Sequence, residues 1–128
     1  METVPHSPTD GVYPAVGDYL HALEVRDPQR LLFVAGTMGL DPSGAPGATL
    51  DEQLELVWDN LRAILASAGM TVDNIVRVTS YLRDVAYAEA NGRARVAALG
   101  GRLVPTTAIV AQTLVSEWLV EIEVVAAG

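Results

Sequence analysis

Cysteine is absent from the 128-residue chain, which excludes disulfides, thiolate metal sites and a thiol nucleophile. Aromatic residues are scarce, 5% of the chain against 50% hydrophobic residues overall, so the core has to be built from aliphatic side chains and alanine. Basic residues are few as well, 8 against 16 acidic ones, for a net charge of -8. That sign opposes the phosphate neutralisation on which nucleic-acid affinity rests, and no nucleic-acid partner is expected. No apolar run approaches the ~20 residues of a membrane span, and the polar, proline-bearing start METVPHSPTDGVYP has no apolar h-region. A cytoplasmic protein without a membrane partner is the expectation. The length suits one domain over residues 1–128, with residues 1–12 expected as a solvated, unpaired tail.

The longest helical pattern is well marked. Thr49-Leu50-Asp51-Glu52 reads as a capping box. Leu50, Leu54, Val57, Leu61, Ile64, Leu65 and Ala68 follow at spacings of three and four, and Gly69 stops the helix, with Trp58 expected at the edge of the apolar stripe. Asp84 caps a second, alanine-rich helix that runs to about Leu99 before Gly100-Gly101. Asn91 inside it is expected to bond a neighbouring loop. The turn-rich segment Asp41 to Gly47 carries neither GxGxxG nor GxxxxGK[ST] and has no lysine near it, so it reads as an exposed connection rather than a phosphate cradle.

The remaining periodicities are those of strands. Tyr19–Val25 and Leu31–Ala35 flank Asp27-Pro28-Gln29 and read as a hairpin, the second arm apolar on both faces like a central strand. In Ile75–Leu82, Val76, Val78 and Ser80 alternate with Arg77, Thr79 and Tyr81. Thr106–Thr113 and Leu119–Val125 read as a second hairpin, opened by Pro105 and placing Glu121 and Glu123 on one face. The order ββαβαββ makes both helices crossovers on one side of a single sheet, an α+β architecture. The other face, half apolar and half acidic, calls for a partner, which a homo-oligomer supplies.

Several of these residues carry a resemblance. The proline, the short apolar strand and the closing Val-Glu-Ile-Glu-Val resemble the C-terminal signature of the Rid family, also called YjgF or the reactive-intermediate imine deaminases. Gly11-Val12-Tyr13 is similar to its early Gly-Pro-Tyr, Val34-Ala35-Gly36-Thr37 to its Val-Ser-Gly-Gln, and Asn60-Leu61 with Ala68-Gly69 to its first helix. Tyr87 and Asn91 match the Phe and Asn of its second helix.

The resemblance implies a chorismate-mutase-like Rid fold, a homotrimer with pockets between subunits, a small-molecule ligand, and neither cofactor nor metal. In deaminating members an arginine two residues after the proline holds the substrate carboxylate, and a glutamate on the last strand positions the water that attacks the imine carbon. That glutamate matches Glu121, the implied catalytic residue. Tyr13, Ala35, Gly36, Thr37, Thr107 and Ile109 fall on the implied substrate-binding positions. Thr107 stands where the arginine would be, and Thr37 where the family has Gln. A guanidinium fork contributes ~1.5–3 kcal/mol per hydrogen bond to a charged group, and one neutral hydroxyl does not replace it. The expected ligand is therefore a small imine, enamine or related intermediate that is neutral or cationic near Thr107, with Arg102 the first residue to consider as a substitute clamp. The alternative is a non-catalytic trimer that binds a metabolite or a partner protein in the same cleft. His21 is expected to be satisfied by its neighbours.

Overall fold

Thr49 starts the first helix of the computed structural model, which describes all 128 residues. Its side chain accepts from the Glu52 amide at 3.2 Å, while the Glu52 carboxylate turns back to the Ala48 amide at 2.9 Å. The Thr49 hydroxyl thereby satisfies one of the donors that open the helix, while Glu52 reaches one residue past the cap. The helix, α1 (Leu50–Ser67), buries Leu54, Val57, Trp58, Leu61 and Leu65. It ends in a Schellman turn: the Met70 amide donates to Leu65 O, the Gly69 amide to Ala66 O, and Gly69 takes φ +70°. Trp58 lies inside the core rather than at its edge, 2% exposed. Asp84 caps a single 3-10 turn through the Ala86 amide, and α2 (Ala88–Ala98) follows it.

Six strands accompany the helices: β1 (Glu2–His6), β2 (Ala22–Arg26), β3 (Leu31–Met38), β4 (Ile75–Leu82), β5 (Thr106–Val110) and β6 (Val120–Ala127). The main sheet runs β3-β6-β4-β5. β6 is antiparallel to both its neighbours, so β3 and β4 are parallel to each other, and β5 is parallel to β4. The β3-α1-β4 and β4-α2-β5 units therefore step in the same direction. Right-handed crossovers then put both helices on one face. Val78, Ser80 and Leu82 of β4 and Val120, Ile122 and Val124 of β6 are buried on that face with α1.

The α+β class and the one-sided helix layer agree with the pattern read from the chain, but three strand expectations need correction. Residues 2–6 are not an unpaired tail; they form an antiparallel ribbon with β2 that lies outside the main sheet. β2 and β3 do not form a hairpin. Arg30 exchanges backbone hydrogen bonds with Gly128, Asp27 turns the chain at φ +52°, and the Leu20 amide donates to Val104 O, which draws the preceding segment toward the β5 edge. β3 is consequently an edge strand, with Phe33 74% exposed. β5 and β6 are not a hairpin either, because β4 lies between them. The 111–119 connection straddles its end, with the Ala111 amide on Leu82 O and the Arg83 amide on Leu119 O.

Candidate active site on the open face

Alternation along β4 and β6 sets what the uncovered face presents. With Val120, Ile122 and Val124 turned to the helices, Glu121, Glu123 and Val125 must face the other way. Across the sheet Glu121 lies opposite Tyr81 and Met38, Glu123 opposite Thr79, and Val125 opposite Arg77 and Phe33. Thr79 and Tyr81 in turn lie opposite Thr107 and Ile109.

Two side chains of α1 fix the strands that meet at Glu121. Gln53, buried in α1, donates to Gly47 O and Glu117 O at 2.9 and 2.8 Å and accepts from the Leu119 amide at 2.9 Å, so it fixes the entry to the strand. Asn60 does the same for the exit of β3 by donating to Met38 O and Leu40 O. The ladder slips between Val34 and Thr37, a bulge that brings Gly36 against Glu121. A methyl group at Gly36 would overlap the Glu121 carboxylate. Only glycine leaves room for it.

The result is a cavity of about 240 Å³ lined by Gly36, Tyr81, Glu121, Glu123 and the 111–114 loop. Arg83 shapes that loop by donating to Thr113 O and Oγ1 at 3.0 and 2.9 Å. The Tyr81 hydroxyl donates to Glu123 Oε1 at 2.5 Å. That hydrogen bond pushes the phenol above the usual tyrosine range, with lost hydration and the nearby carboxylate charges adding to the effect. Of the two glutamates, Glu123 is occupied by Tyr81, while no protein hydrogen bond engages the Glu121 carboxylate. No cationic side chain lines this cavity.

The structure groups the sequence candidates unevenly. Glu121 and Gly36 meet, while Ala35, next to Gly36 in the bulge, is exposed and does not line the cavity. Thr107 and Ile109 share the face but lie two strands from β6, ~10 Å at ordinary strand spacing. Thr37 lies opposite Ile122, buried, and donates to Ala35 O, so its side chain does not reach the open face. Tyr13 is 71% exposed and stands edge-on to His21, whose Nε2 bonds Tyr13 O at 2.8 Å. Arg102 is spent on Val72 O and Ile75 O, which removes it as a substitute clamp. Asn91 is buried with its Oδ1 unpaired rather than bonded to a loop.

Two residues escaped the sequence reading. Tyr81 holds Glu123, and Arg77 donates from Nη2 to Thr107 Oγ1 at 3.4 Å, which places a cation beside the residue that lacks one. Their alternation with Thr79 is visible in the sequence; the face it points to depends on which strand pairs with which.

Residues 11–128 match the model of the family described as endoribonuclease L-PSP. The fold is similar over the full length of both chains to a Rid-family protein of unknown function from Yersinia pestis, with 29% identity and a TM-score of 0.86. Among curated relatives, a RutC family protein of Escherichia coli, YjgH, is 46% identical over 54 residues, covering 42% of this chain and 41% of its own. The mouse 2-iminobutanoate/2-iminopropanoate deaminase is 35% identical over 74 residues, 56% of this chain and 52% of its own. The chain thus spans about half the length, or less, of these curated relatives in the matched region.

Proposed function

From the premise that this chain belongs to the endoribonuclease L-PSP family, the Rid or YjgF proteins, we propose that it hydrolyses a small imine or enamine. A general imine deaminase-like role is supported by the family, some of whose members are named for that reaction. The observation that carries the finer reading is the free Glu121 carboxylate seated against Gly36 in a small cavity. There it accepts a proton from water as the water oxygen bonds the imine carbon, and the C=N electron pair moves to nitrogen, which is protonated. Collapse of the resulting carbinolamine forms C=O and releases ammonia.

Two carboxylates and no cation line the cavity, so the part of the substrate beside Glu121 is neutral or cationic, as a C=N or protonated iminium group is. With threonine at position 107, no carboxylate is held there in the manner of the arginine-bearing relatives. Ribonuclease chemistry is disfavoured by the net charge of -8.

The working form in this proposal is a homotrimer with the cleft between subunits. Phe33 and Ile109 are 74% and 49% exposed on the same face as Glu121, a mixture that a second copy would cover. The test is ammonium release from a panel of imines generated in place, 2-imino acids by an amino-acid oxidase and imines without a carboxylate by an amine oxidase, with and without the protein. Faster release for at least one imine is expected. Binding without any acceleration across the panel would instead favour a non-catalytic metabolite-binding trimer.

A further inference from the structure

A second cavity on the open face differs in charge from the first. It has a volume of about 370 Å³, lies where β2 crosses the end of the sheet, and is walled by Leu23, Val25, Val76, Pro105 and Val125. Its polar lining side chains are His21 and Arg77, and no carboxylate lines it.

Arg77 is the odd member of its class. The chain holds eight basic residues, all arginine, and twice as many acids. Arg26, Arg62, Arg93 and Arg95 are paired with carboxylates. Arg30, Arg83 and Arg102 donate to backbone carbonyls. Arg77 alone has neither, its one hydrogen bond being the long contact to the Thr107 hydroxyl. In so acidic a protein, a guanidinium without an acidic partner on the wall of an apolar cavity is a site for an anion from outside.

The neighbours fit that role. His21 Nε2 carries its hydrogen toward the Tyr13 carbonyl, so that donor is spent and the charge offered to a ligand is that of Arg77. The Thr107 hydroxyl, which accepts from Arg77, keeps its own proton to donate. Arg77 lies opposite Val125, whose apolar side chain takes whatever is attached to the anion. The volume is at the small end of ligand sites, which limits the attached group to a short chain.

We propose that this cavity binds the carboxylate of a small molecule with a short apolar chain, held by Arg77. The site stands independently of imine hydrolysis.

Butanoate is the probe, followed by two-dimensional amide NMR on the full chain with butylammonium as the charge-reversed control. Butanoate should shift the Val76, Thr107 and Val125 amides in a saturable way, and butylammonium should not. Arg77→Gln should raise the butanoate dissociation constant at least ten-fold, and Arg77→Lys, which keeps the charge but not the fork, should fall between. Binding unaltered by both variants, or equal shifts with butylammonium, overturns the proposal. Arg77-dependent binding in a protein that accelerates no imine hydrolysis would sink the hydrolase reading and leave this one standing.

Discussion

Replacing Gly36 by alanine separates the placement of Glu121 from the stability of the fold. Gly36 does not adopt a positive φ, so alanine is compatible with the backbone there, and the group a methyl would overlap is the end of a glutamate side chain rather than main chain. Forcing that side chain off its rotamer costs ~0.5–1.5 kcal/mol. Losing glycine's freedom in the unfolded chain returns ~0.4–1 kcal/mol. The two nearly cancel, and the expected net change is within ~1 kcal/mol, a few degrees in melting temperature. Activity has no such compensation. Displacing the carboxylate by roughly the width of a methyl group misaligns the attacking water, and a displacement of ~1 Å can cost ~100-fold in rate. Calorimetry on Gly36→Ala paired with ammonium release from the best imine substrate measures both. A variant as active as the parent, or one that loses more than ~3 kcal/mol of stability, would refute the packing of Glu121 against Gly36.

Other consequences follow from the same geometry. Gln53→Leu leaves the Gly47 and Glu117 carbonyls and the Leu119 amide without their partner, and should cost ~3 kcal/mol in urea unfolding, since each unsatisfied buried group costs ~1–3 kcal/mol. Of the four tyrosines, one should ionise late in an ultraviolet pH titration, and Tyr81→Phe should remove that late step. Because the phenol is raised on folding, its bond to Glu123 stabilises the fold fully below pH ~10, and this contribution is lost as pH rises through the folded value. Sedimentation at micromolar concentration should give about three times the 13.6 kDa chain mass, and a monomer would contradict the intersubunit cleft.

Helices were legible in the sequence because their signals are local. Thr49 and Gly69 mark both ends of α1 within the segment itself and cap it as expected, while Glu52 reaches the Ala48 amide rather than the amide of the cap residue. Strand partners were not legible. The 111–119 connection reads as a hairpin loop, and nothing within it reveals that β4 occupies the place between the two strands it joins. The ribbon of β1 with β2 is hidden for another reason: Glu2 to His6 is almost wholly exposed and so lacks the apolar alternation that marks a half-buried strand. Glu121 could be named from the closing strand, whereas Arg77 and Tyr81 depend on cross-strand register. The charge expected near Thr107 changes accordingly, for a sequence reading finds no counter-ion at that position and the fold supplies Arg77 from the neighbouring strand.

The central claim is that Glu121, free in its cavity, does what Glu123, held by Tyr81, does not. Comparing ammonium release by Glu121→Gln and Glu123→Gln tests it most directly, because the two substitutions remove the same charge from the same strand face and leave the shape unchanged. The account predicts that Glu121→Gln loses ~100-fold or more, the range of a positioned base, while Glu123→Gln loses less than ~10-fold. Equal losses in the two variants would reduce Glu121 to one charge of an acidic face, and contradict it.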